Sequence, residues 1–90
     1  MQYYITTDVV NQGFQRHRSY NILMNKFAER LRELRLEKGL SQDGLAKATG
    51  ISQDAISRWE LKQRTATIDN VIILAKFFCV SIDFLVGLVD

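Results

Sequence analysis

The chain has 90 residues, 47% of them hydrophobic and 24% charged, with a net charge of +2. That is the mixture of one globular domain with an extension, and it excludes a disordered polyelectrolyte. One cysteine excludes an internal disulfide and is too few for a zinc site, which points to a reducing, cytoplasmic setting. Lys76 and Asp83 interrupt the most apolar stretches, and Met1-Gln2-Tyr3-Tyr4 lacks the basic start and long apolar run of a secretory signal, so neither a membrane span nor secretion is expected.

Residues 1–24 read as an N-terminal extension and residues 25–90 as a folded domain. Tyr3-Tyr4-Ile5-Thr6-Thr7 and Val9-Val10 are aromatic and β-branched and favour extended backbone, and Asn11-Gln12-Gly13 reads as a turn. His17, between Arg16 and Arg18, has no companion for catalysis or metal binding. Residues 1–26 hold Asp8 against Arg16, Arg18 and Lys26, which accounts for the whole +2; the remaining nine basic and nine acidic residues balance.

From residue 27 onward the pattern is one of short helices. Phe27, Leu31 and Leu34 form one apolar stripe, with Glu29, Glu33 and Glu37 among arginines on the wet side. This helix starts at Asn25 or as early as Ser19, and Gly39 stops it. Ser41 caps a second helix from Gln42 to Thr49, ended by Gly50, and Ser52 caps a third from Gln53 to about Leu61. Thr67 caps a fourth, with Ile68, Val71, Ile72, Ala75 and Phe78 inside, and Ser81 a fifth, with Ile82 and Leu85 inside. Caps and apolar periods agree on an all-α fold of five helices.

The second and third helices carry the functional signal. Ala46 is small enough to let them lie close, Gly50 turns the chain, Ile51 plugs the turn, and Ile56 and Trp59 give the third helix a buried stripe. Gln53, Asp54, Ser57 and Arg58 are left polar on its other side. An anchored back and a hydrogen-bonding front are what a helix needs to read the major groove of DNA.

Residues 25–86 resemble the Xre/Cro-like, lambda-repressor-like helix-turn-helix family. The resemblance runs through Phe27–Arg35, Lys38–Gln42, Leu45-Ala46, Gly50-Ile51-Ser52, Ile56–Glu60, Leu74-Ala75-Lys76 and Val80–Leu85. It implies that Gln42 bonds a backbone phosphate, helped by the N-terminal amides of its own helix, and that Ser52, at the start of the third helix, meets phosphate as well. It also implies that Gln53, Asp54, Ser57 and Arg58 face base edges, and that Arg35 and Glu60 form an ion pair between the first and third helices. Arg58 is suited to guanine and Gln53 to adenine; Lys62 and Arg64 are placed to meet phosphates.

The sequence departs from the family pattern at several points. Gly44 stands where a helix-favouring Glu is usual, either through drift or because something approaches closely. Asp54 either accepts from a cytosine or supports the helix N-terminus. Residues 61–66 lack the usual Gly and Pro, so the third helix is free to run on. Cys79 takes the place of a Gly after the fourth helix, which predicts a slightly strained joint and a half-buried sulfur. Ile73, Phe77, Phe84, Val86, Leu88 and Val89 are a surplus of apolar residues.

The resulting expectation is a small transcriptional regulator, a repressor, that binds double-stranded DNA as a homodimer through Ile73, Phe77, Phe84 and Leu88. The alternative cover for that surface is the N-terminal segment. A second reading makes the chain a protein-interaction module, an antitoxin or a regulator's partner, that uses the same apolar surface. No nucleophile–base set, metal cluster or phosphate-cradling loop is present, so neither an enzyme nor a cofactor, metal or small molecule is expected.

Overall fold

The computed structural model describes residues 26–90, and the expectations for residues 1–25 lie outside them, including the start of the first helix. Helix α1 covers residues 26–37, followed by α2 (Gln42–Thr49), α3 (Gln53–Glu60), α4 (Ile68–Phe78) and α5 (Ile82–Leu85); no strand occurs among the described residues.

The helix starts follow from side-chain chemistry. Ser41, Ser52, Thr67 and Ser81 each take extended backbone and accept, through the side-chain oxygen, the N–H three residues on: Gly44, Ala55, Asn70 and Phe84. Each bond satisfies an amide that the helix leaves unpaired.

The helix ends share a second device. Helix α1 closes with the Gly39 N–H donating to the Leu36 carbonyl and the Leu40 N–H to that of Arg35. The same paired bonds follow α3 at Lys62 and Gln63, α4 at Cys79 and Val80, and α5 at Gly87 and Leu88. The pivot residue must be left-handed, and here Lys62 (φ 64°) and Cys79 (φ 57°) fill positions that glycine fills at no steric cost. Residues 61–66 therefore do not extend α3: the helix stops at Glu60 because Lys62 accepts the left-handed turn. Cys79 turns the chain as expected, but its side chain is exposed rather than half-buried, its thiol reaching back 3.8 Å to the Lys76 carbonyl in the last turn of α4. At Gly87 (φ 88°) a Cβ would collide with the side chain of Lys26, so glycine is required on two counts.

One core joins all five helices. Phe27 and Leu31 from α1, Leu45 from α2, Ile51 from the turn, Ile56 and Trp59 from α3, Val71, Leu74, Ala75 and Phe78 from α4 and Leu85 from α5 are buried together. Trp59 meets Phe27 edge to face at 5.9 Å between ring centroids. The apolar surplus is divided. Ile73 (40% exposed) and Leu88 (63%) face solvent, as does Val89, whereas Phe77 and Val86 pack partly against the core and Phe84 is half-buried. The outer faces of the two phenylalanines carry cations: Lys38 lies 5.2 Å from the Phe77 ring and Arg30 4.3 Å from the Phe84 ring. Arg30 also donates to the Phe84 and Val89 carbonyls, tying the chain after α5 back to α1.

Candidate nucleic-acid interface

Helix α3 is built as an anchor with a free front. Ile56 and Trp59 are at most 2% exposed, so the back of the helix cannot turn without opening the core. Gln53, Asp54 and Arg58 are exposed, Ser57 half-exposed, and all four share the opposite side. Gly50 (φ 79°) makes the turn before it and donates its N–H to the Ala46 carbonyl, and buried Ile51 pins that turn from within.

A buried ionic cluster fixes where α3 ends. The Arg35 guanidinium, on α1, grips the Glu60 carboxylate with two parallel bonds, Nε to Oε2 at 2.7 Å and Nη2 to Oε1 at 2.9 Å. The remaining Arg35 edge donates from Nη1 to the Leu40 carbonyl at 2.8 Å, so the cation also braces the turn into α2. Gln42 joins from the start of α2, donating Nε2 to Glu60 Oε1 at 3.2 Å. Arg35 and Glu60 are only 9% and 6% exposed. The hydrogen bond to Glu60 holds the Arg35 guanidinium above its ordinary basicity, against the opposing pull of burial. Charges this buried are tolerable only when fully partnered, as these are. The cluster therefore locks α1, the first turn of α2 and the end of α3 into one frame, with the Gln42 amide at its edge.

The exposed face has its own ion pair. Arg58 Nε donates to Asp54 Oδ2 at 2.9 Å, one helical turn apart, and both side chains remain in solvent. Sequence reasoning weighed Asp54 as a base contact or a helix-end charge and missed this partner, although acid and base four residues apart on a helix are its signal. Of the residues expected at phosphates, Ser52 caps α3 and is exposed, and Arg64 is exposed in the following loop. Lys62 is exposed as well, but its ammonium lies 3.8 Å from Glu29 of α1. Gly44 approaches no neighbouring helix: the atom nearest to where its Cβ would lie is Ser41 Oγ, in the cap of its own helix.

The helix-turn-helix family model matches residues 31–85, from the middle of α1 to the end of α5. The chain belongs to this helix-turn-helix family, of Xre/Cro-like type. An uncharacterized transcriptional regulator of Bacillus subtilis, YobD, is 33% identical over 64 residues, which are 71% of this chain and 57% of that protein. The transcriptional activator BcrR of Enterococcus faecalis is 38% identical over 62 residues, which are 69% of this chain and 30% of that protein. The match thus spans little more than half of one curated relative and less than a third of the other. Among solved structures, the restriction-modification controller protein C.AhdI of Aeromonas hydrophila superposes with a TM-score of 0.63 at 37% identity, over 69% of this chain and 94% of that one. A regulator of the same family from Vibrio cholerae gives 0.67 at 25% identity, over 74% and 38%. No described helix is long and apolar enough to cross a membrane, and no described group of His, Cys, Asp and Glu could hold a metal ion.

Proposed function

We propose that this domain binds double-stranded DNA sequence-specifically, with α3 in the major groove, as a small transcriptional regulator. The observation that carries the reading is the two-sidedness of α3: Ile56 and Trp59 buried behind, Gln53, Asp54 and Arg58 exposed in front. A major groove admits a helix and displays a distinct donor and acceptor pattern for each base pair. Arg58 reads guanine and Gln53 adenine, with Ser57 beside them. Gln42, Ser52, Lys62 and Arg64 meet phosphates and set the register, Gln42 from the frame that Glu60 provides. Repression is the simplest outcome, because it needs only occupancy of DNA that a polymerase must cross.

The domain works as a homodimer on two half-sites in this reading, since a two-fold pair doubles the contacts available to a nearly neutral domain. Ile73 and Leu88 supply the exposed apolar contact; Phe77 and Phe84 contribute their rims, because Lys38 and Arg30 cover their faces. Light scattering should report a dimer that Ile73→Asp dissociates; a strictly monomeric wild-type protein at high micromolar concentration contradicts the pairing. Copurification of a different polypeptide on this face, with sequence-insensitive DNA binding, would favour an interaction module instead.

The test of the base-reading role is Arg58→Ala against duplexes selected by the wild-type protein. It should cost about 1–3 kcal/mol and relax preference at one base pair. Arg64→Ala should weaken all duplexes alike and lower the salt slope by about 1. Equal losses on every sequence with Arg58→Ala would remove it as a base reader.

A further inference from the structure

We infer that Asp54 is a positioning residue that sets specificity by holding Arg58 in a guanine-reading posture, and touches no base itself. This rests on α3 being the helix that reads DNA. A guanidinium has two usable hydrogen-bonding edges, one along Nε and one across the two Nη nitrogens. Asp54 Oδ2 takes the Nε–H at 2.9 Å, while neither Nη nitrogen has a protein partner among the described residues. The free end is the fork that matches O6 and N7 of guanine. An arginine without such a brace is a long, flexible cation, equally able to swing to a phosphate and bind every sequence. The carboxylate opposes that excursion twice, by retaining Nε and by repelling the phosphate.

Stability does not explain the pair, since the two side chains are 71% and 48% exposed and exposed pairs contribute little to folding. Asp43 and Lys47 on α2 offer an internal comparison: the same spacing, both exposed, Nζ to Oδ2 at 3.1 Å, and no place on the α3 front. Asp43→Ala makes the same charge change as Asp54→Ala without releasing Arg58.

The experiment measures affinities of the full chain for duplexes from a randomised pool, at fixed salt, for wild type, Asp54→Ala, Arg58→Ala, the double variant and Asp43→Ala. Thermal melting of each variant verifies folding. Arg58→Ala should abolish a guanine preference at one base pair. Asp54→Ala should shrink that same preference at least threefold, while raising affinity for unrelated DNA more than Asp43→Ala does, because only the former frees Arg58 for the phosphates. In the Arg58→Ala background, Asp54→Ala should leave the base profile unchanged. The inference is overturned if Asp54→Ala leaves the guanine preference intact and strengthens all duplexes equally, which is a charge effect alone. A shifted preference at a different base pair that persists without Arg58 also overturns it, and makes Asp54 a direct cytosine contact. A wild-type protein with no base preference removes the reading of α3 itself, a result separable from either of these.

Discussion

Two ion pairs engage α3, and solvent makes them different objects. Glu60, at its C-terminal end, meets Arg35 in a nearly dry cluster with two short bonds; Arg58, on its front, meets Asp54 in water with one. The first pair joins residues 25 apart in sequence on two different helices, and neither partner can leave without stranding a buried charge. The second lies within one helix and opens at small cost. The same chemistry thus builds a rigid frame behind the helix and a lightly braced head in front. A reading helix needs both, because the groove must meet a fixed backbone and an arginine held by Nε with its two Nη nitrogens left for the base.

Breaking the buried pair is the largest test of this contrast. Glu60→Ala should destabilise the domain by about 3–5 kcal/mol in urea unfolding, because Arg35 is left buried and uncompensated. Replacing both partners with apolar residues of similar size, Arg35→Met with Glu60→Leu, should recover most of that loss. A single variant costing well under 1 kcal/mol would show that the cluster is wetter than its geometry implies. Cutting the anchor by Ile56→Ala should cost about 2–5 kcal/mol through lost burial and a cavity.

Smaller effects come from the helix ends. Lys62→Gly and Cys79→Gly should each stabilise the domain by about 1 kcal/mol, measured as a higher denaturation midpoint, because glycine relieves a left-handed pivot. Destabilisation by Cys79→Gly would mean that its side chain matters more than its backbone. Smallest of all, Asp54→Ala should change stability by no more than about 0.5 kcal/mol, which would confine this pair's role to recognition.

Much of this architecture was legible in the sequence because its signals are local. A Ser or Thr ahead of an apolar period marks a helix start wherever it occurs, and Ser41, Ser52, Thr67 and Ser81 all do so. The buried stripe of α3 was legible for the same reason, since Ile56 and Trp59 lie one turn apart. What stayed hidden depends on distant pieces of chain meeting. Arg30 over Phe84 spans 54 residues, and Lys38 over Phe77 spans 39, so neither leaves a trace in spacing. The end of α3 near Leu61 is legible, but what forces the stop is not, because Lys62 is an uncommon pivot that takes the left-handed turn against its own preference. The Asp54–Arg58 pair is within reach of a spacing argument, but Asp54 also fits a base contact or a helix-end charge and Arg58 a base contact, and those readings leave the pair aside.

The front of α3 should meet DNA while its back stays in the core. A titration of the isotopically labelled protein with a selected duplex, followed by amide NMR at fixed salt, tests this. The largest shifts should fall at residues 52–58 and at the start of α2 around Gln42, with little change on the exposed side of α4 around Ile73. Shifts concentrated on α4 and α5, with residues 52–58 unmoved, would contradict it.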